Sequence, residues 1–182
     1  MRSFVKEYFD TPNIDRLKTT ITPNWSVENV ENHLRIVKPE GNRIYEIGAG
    51  IGRLLDALKD KHIVSGCDAS QAMIKNQLPG CNISICDGKG SIPCETASQD
   101  FVFSIIVFQH IPDIEVVKEF INEAYRILES GSFVFQVFSH YEKDSELWTY
   151  HDHDELLSAM DSAGFKTIIE KGDRWTVFRG VK

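Results

Sequence analysis

The sequence predicts an α/β domain in which one seven-stranded sheet carries helices on both faces and runs parallel except at one edge. Three observations carry that expectation. From about residue 42 onward, short β-prone runs alternate with helical patterns. Residues 101–108, FVFSIIVF, are apolar almost without a break, as a central parallel strand buried on both faces requires. The last two apolar runs flank Lys171-Gly172-Asp173, a hairpin signal that turns the final strand antiparallel to its neighbour.

The elements follow in order. Ser26 is placed to cap a helix running through Val27, Val30, Leu34 and Ile36 towards Pro39, so residues 1–40 are expected to form a helical lid or flank. Residues 41–182 form the core domain. Its first strand is RIYEIG at 43–48, and IGRLLDALKD opens a helix directly after the glycines. HIVSGC at 62–67 is the second strand; Ser70 caps a helix reaching Gln77; residues 81–86 make a short third strand. After the central strand, Val117, Phe120, Ile121, Ala124 and Leu128 recur at helical spacing, and Gly131 is expected to close that helix. SFVFQVF at 132–138 is the next strand, DELLSAMDSAG the last helix ending at Gly164, and FKTIIE and RWTVFRG the closing hairpin.

Composition bounds the function. With 182 residues, 42% of them hydrophobic, the chain can bury roughly 70% of its unfolded surface and fold without staples. The absence of an apolar run of membrane-spanning length, and of a signal-peptide core in MRSFVKEYFD, predicts a protein neither spanning a membrane nor secreted, hence cytoplasmic. A net charge of −7 repels polyphosphate and anionic lipid, so neither nucleic acid nor membrane is an expected partner. Cys67, Cys81, Cys86 and Cys94 form no C-x-x-C pair and have no zinc-finger histidine; reduced thiols and no metal are expected.

The informative segment is Tyr45-Glu46-Ile47-Gly48-Ala49-Gly50-Ile51-Gly52. A strand ending in a glycine turn admits a ligand where a side chain would collide. A dinucleotide fingerprint would place its third glycine at 53, where Arg53 stands. Glu46 beside a diphosphate would repel it; beside a ligand with a free ammonium group it would attract. E-x-G-x-G-x-G after a first strand resembles the first motif of class I S-adenosylmethionine-dependent methyltransferases. Further segments match in order: Gly66-Cys67-Asp68-Ala69-Ser70 with Met73, then Asp87-Gly88, Ile92-Pro93, Asp100-Phe101-Val102, Val107-Phe108-Gln109-His110-Ile111 and Gly164-Phe165. The resemblance covers roughly residues 40–180.

That resemblance implies a Rossmann-like doubly wound sheet of order 3-2-1-4-5-7-6. It implies S-adenosyl-L-methionine as cofactor, S-adenosyl-L-homocysteine as product, and methyl transfer to O or N of a small-molecule acceptor. The cofactor residues it implies are Glu46 at the amino group, Gly48, Ala49, Gly50 and Gly52 in the loop, Asp68 and Ala69 at the ribose, Met73, Asp87 and Gly88 at the adenine, and Val107. Read as residues alone, Glu46 also suits a solvated strand end, Asp68 a helix cap, Asp87 a turn, and Met73 core packing. His110 is the candidate base, since histidine titrates near neutrality; the rival is support of its loop. Trp25, Gln109, His140, Tyr141 and Tyr150 are acceptor-pocket candidates, with Trp148, His151 and His153 in the same cluster, against an exposed polar connection. His33 and His62 read as structural. Pro93-Cys94 precedes the central strand, not follows it, and so does not match a cytosine methyltransferase nucleophile. An Asn- or Asp-Pro-Pro-Tyr motif is absent. Two other classes remain open: a cofactor-binding module without transfer activity that acts through a partner, and a nicotinamide oxidoreductase using Asp68 on a ribose diol.

Overall fold

A computed structural model of the chain describes residues 27–140 and 148–182. In order, these form α1 (Val27–Val37), β1 (Arg43–Ile47), α2 (Arg53–Leu58), β2 (Ile63–Asp68), α3 (Gln71–Lys75), β3 (Ile83–Ile85), β4 (Gln99–Ser104), a 3-10 turn (Phe108–His110), α4 (Ile114–Ile127), β5 (Leu128–Phe138), α5 (His153–Ala163), β6 (Lys166–Lys171) and β7 (Trp175–Val181). The seven strands make one sheet of order β3-β2-β1-β4-β5-β7-β6. β1 to β5 pair in parallel, and β7 runs antiparallel to both β5 and β6. That is the doubly wound arrangement expected from the alternation of elements.

Strand alternation distributes two cores. One face sends Tyr45, Val102, Phe133, Phe135 and Phe178 against Val117, Phe120 and Ile121 of α4 and Leu156 and Met160 of α5. The other sends Ile44, Phe101, Phe103 and Val134 against Leu54, Leu55 and Leu58 of α2 and Val37 of α1. At about 25 cal/mol per Å² of apolar surface, each fully buried Phe or Leu contributes roughly 1.5–3 kcal/mol. α1 is thus a flank packed on the sheet face, its last carbonyls capped by Arg179 of β7, which donates to Val37 O at 2.8 Å. Residues 1–26 of the expected lid or flank, Ser26 among them, lie outside the described residues.

Three sequence expectations shift. The apolar run 101–108 is only half strand: β4 begins at Gln99 and stops at Ser104, residues 105–107 are exit loop with Ile105 buried and Ile106 and Val107 half-buried, and Phe108 opens the 3-10 turn. Gly131 does not close α4. The helix ends at Ile127, Leu128 already pairs with Gln99, and Gly131 lies inside β5 at φ 112°. A Cβ there would sit 2.0 Å from Asp100 O, so β5 and β4 approach each other where only glycine fits. The third strand is shorter than expected, three residues long.

No helix among the described residues is long and apolar enough to cross a membrane, and none of their His, Cys, Asp and Glu side chains group to hold a metal. The four cysteines are free thiols.

Candidate functional site

β1 delivers its chain into a loop, residues 48–52, at the C-terminal edge of the sheet, the edge where open α/β sheets take ligands. Gly48 N–H and Ala49 N–H both donate to Cys67 O (2.8 and 2.9 Å), and Gly52 N–H donates to Ala49 O at 2.8 Å. Gly50 N–H donates to Asp68 Oδ2 at 2.8 Å. Four loop amides are therefore committed within the chain, one of them to a carboxylate. A diphosphate would need such donors pointing outward.

The three glycines are not equivalent. All have positive φ, at 73°, 56° and 90° for 48, 50 and 52. A Cβ on Gly48 would sit 2.4 Å from Val107 Cγ2, and one on Gly52 2.8 Å from Cys81 Cβ. At Gly50 the nearest atom is Met73 Sδ, 4.0 Å away. Gly48 and Gly52 let the protein pack against itself, while Gly50 opens onto space.

Glu46 stands on β1 just before this loop, 4% exposed, with its Oε2 bonded to nothing among the described residues. Burial pushes its carboxyl well above the ordinary range, and the negative charge of Asp68 adds to the shift. A buried carboxyl oxygen without a partner costs stability that a donor brought in beside it would recover. Asp68 ends β2 and accepts from Gly50 N–H on one oxygen and from Ser70 N–H on the other, at 2.8 Å each. It therefore ties the loop to the start of α3, where Ser70 Oγ caps Met73 N–H at 3.2 Å. Asp87 follows β3, exposed, and makes an Asx turn by accepting Lys89 N–H at 2.8 Å, with Gly88 buried beside it. Cys86 N–H donates to Asp68 O at 3.0 Å and holds the two acidic strand ends side by side. Ala69 is half-buried, Met73 is buried under Gly50, and Val107 lies against Gly48. The sheet order thus aligns Asp87, Asp68, Glu46 with its loop, and Val107 along one edge.

Beyond β4 the chain passes through Ile106 at φ 58°, a left-handed conformation that a β-branched side chain resists. The 3-10 turn follows. Gln109 is fully buried, and neither atom of its amide has a hydrogen-bond partner, while its main-chain carbonyl accepts Thr149 N–H at 2.7 Å. The His110 ring lies 4.7 Å from Trp148, Trp148 5.3 Å from Phe138, and Phe138 stacks on Trp175 at 4.7 Å. These rings form a row from the β4 exit to the start of β7. Phe138 and Trp175 were not among the sequence candidates, since only the β5–β7 pairing brings Phe138 opposite Trp175.

The histidine cluster separates into different duties. His151 Nε2 donates to Phe108 O at 2.9 Å and His153 Nε2 to Phe138 O at 2.7 Å, both buried. These two pin the returning chain to the ends of β4 and β5, and burial lowers the His151 pKa. Being buried, they do not form an exposed connection. His140 is exposed, and Tyr150 packs 5.6 Å from the His153 ring. His62 donates to Gly41 O at 2.9 Å, and His33 is half-buried beside Gln136. Cys94, in the loop before β4, contacts Ser98 Oγ at 3.3 Å. Trp25 and Tyr141 lie outside the described residues.

The family profile described as "Methyltransferase domain" matches residues 45–136, half of the chain. No curated protein matches the sequence. Among solved structures, phosphoethanolamine N-methyltransferase 2 of Haemonchus contortus, in complex with S-adenosyl-L-methionine, superposes over 100% of this chain with a TM-score of 0.75 and 18% identity. The chain spans 59% of that enzyme's length. A methyltransferase of Thermotoga maritima described as a possible histamine N-methyltransferase gives a TM-score of 0.72 at 23% identity, with 98% of each chain covered. The [4+2]-cyclase SpnF gives 0.77 at 12% identity, covering 98% of this chain and 94% of its own. At these identities the likeness is one of fold, and the same fold carries more than one named activity.

Proposed function

Because the chain belongs to the methyltransferase-domain family and has the fold of its class I members, we propose that it transfers the methyl group of S-adenosylmethionine to an oxygen or nitrogen of a small-molecule acceptor. The observation that carries this reading is the buried, half-unpartnered Glu46 carboxylate beside a loop whose amides are already used. That combination suits an ammonium-bearing tail and offers a diphosphate nothing, which counts against a nicotinamide cofactor.

In this reading Glu46 accepts the ammonium of the cofactor and Asp68 accepts from the ribose hydroxyls. Asp87 meets the adenine amine, with Gly88 and Met73 at the base, and Ala69 and Val107 line the same cofactor bed. Gly48, Ala49, Gly50 and Gly52 shape the bed on which the tail lies. The cofactor, when bound, supplies a methyl group on a sulfonium that leaves readily. The protein's task is therefore alignment, and orientation supplies about 7–11 kcal/mol of barrier lowering in favourable cases. The row of His110, Trp148, Phe138 and Trp175 offers flat apolar walls for the acceptor, and the Gln109 amide one donor and one acceptor for its polar group. Trp25, His140, Tyr141 and Tyr150 remain candidates for the same pocket. His110 takes the proton from the attacking O–H or N–H. The protein works as a cytoplasmic enzyme with reduced thiols.

Calorimetry with S-adenosylhomocysteine against NAD tests the cofactor half: binding of the first and not the second is expected, and tight NAD binding alone overturns it. Release of S-adenosylhomocysteine with a panel of small amines, phenols and carboxylic acids tests transfer and separates an enzyme from an inactive binding module. His110→Ala should lower turnover with cofactor affinity unchanged; full activity assigns His110 to loop support.

A further inference from the structure

Arg53 is the first residue of α2, directly after Gly52. Its helix turns Leu54, Leu55 and Leu58 into the core, and an α-helical Cα–Cβ bond leans towards the helix N-terminus, so the Arg53 side chain leaves the backbone on the side of the glycine loop. It is half-buried, and its Nε is shut off from solvent with no hydrogen-bond partner.

Every other described arginine has a partner. Arg35 meets Glu31 and Asn32, Arg43 meets Asp100 and Glu129, and Arg126 meets Glu123. Arg179 caps α1, and Arg174 lies over the Trp175 ring. Arg53 alone among them has no hydrogen bond, ion pair or ring. Burial lowers its pKa, and no acidic group contributes to the shift. A guanidinium partly withdrawn from water without a counter-ion is a cost that a bound anion removes.

Glu46 poses the complementary problem on the same side of the sheet. By strand alternation it shares the face of Ile44, the face that α2 covers. The two opposite charges flank one loop, yet no ion pair joins them, and each lacks a partner of its own. One unpaired cation and one unpaired carboxylate around an open Gly50 are the complement of a zwitterion.

Resting on the cofactor reading above, we infer that Arg53 binds the α-carboxylate of the cofactor's amino-acid tail while Glu46 binds its ammonium. Arg53 then discriminates free amino-acid-tailed nucleosides from those lacking a carboxylate.

The test is calorimetry on the full chain with two probes: S-adenosylhomocysteine, and its decarboxylated analogue, which keeps the amine and the nucleoside. Wild type should bind the first about tenfold or more tighter. Arg53→Gln should lose that preference by weakening S-adenosylhomocysteine alone, and Arg53→Lys should restore part of it. Unchanged S-adenosylhomocysteine affinity in Arg53→Gln overturns the inference, and so does equal weakening of both probes with an unchanged thermal midpoint. If the thermal midpoint falls in Arg53→Gln, the wild-type preference and the lysine variant decide in the same way. Binding of neither probe to wild type overturns the cofactor reading itself, and this inference with it.

Discussion

The two ends of the parallel sheet treat charge in opposite ways. At the N-terminal ends of the strands, Asp100 Oδ2 accepts Asn42 N–H and Arg43 N–H at 2.8 Å each, and its Oδ1 accepts Arg43 Nε–H at 3.0 Å. Arg43 also reaches Glu129, and Lys182 Nζ donates to Tyr125 O and Leu128 O. The Arg43 guanidinium holds the Asp100 carboxyl down at about 2. At the C-terminal ends, Glu46, Arg53 and Gln109 each carry a buried polar atom with no partner, and burial drives the Glu46 carboxyl up. Among the described residues, the ion-paired charges gather at one end of the sheet, and the buried, unpartnered Glu46, Arg53 and Gln109 at the other.

The largest effect is expected where that contrast has an exception, inside the glycine loop itself. Gly52→Ala adds a Cβ 2.8 Å from Cys81 Cβ at φ 90° and should cost about 2–4 kcal/mol in denaturant unfolding, from strain and overpacking together. Gly50→Ala faces space and should cost only about 1 kcal/mol of stability while weakening S-adenosylhomocysteine binding. Equal destabilisation by the two would remove the distinction between packing and ligand glycines.

Glu46→Gln should weaken S-adenosylhomocysteine binding about 10- to 100-fold, the size of a lost charge-assisted hydrogen bond. Above the raised Glu46 pKa it should leave the unliganded thermal midpoint unchanged or higher, because the buried unpaired charge is gone. A lowered midpoint with unchanged affinity would make Glu46 structural, like Asp100. Conversely, Asp100→Ala should cost about 1–2 kcal/mol of stability in chemical denaturation and leave the ligand dissociation constant alone. Its folded carboxyl is depressed, so the stability it contributes is full above the ordinary carboxylate range and fades as pH falls towards about 2.

The smallest effect is a proton count. A carboxylate whose folded pKa is raised costs the unliganded fold stability as pH rises through that value. An ammonium ligand favours the ionised form, so binding should expel up to about one proton below the raised pKa, and affinity should fall as pH drops through it. Calorimetry in two buffers of different ionisation enthalpy reads the proton directly, and Glu46→Gln should abolish it.

Much of this edge was legible from the sequence because its signals are local. A glycine run after a β-prone strand, and acids where the next two strands end, define Glu46, Asp68 and Asp87 within a few residues each. Strand limits were less legible where pairing decides them. β4 stops at Ser104 although the apolar run continues, and Leu128 leaves its helix because Gln99 is there to pair with it. Gly131 reads as a helix stop in sequence and is a close approach of two strands in space.

By itself the sequence determined the order of the elements, the doubly wound class and the strand ends that carry acidic side chains. Those follow from periodicity and from residues adjacent in the chain. Only the tertiary structure decided which polar groups are left unpaired. His151 and His153 prove to be pins on Phe108 and Phe138, and Arg53 proves to be alone where five other described arginines are not. A partner is supplied by a chain segment distant in sequence, and the lack of one exists only once every other segment has taken its place.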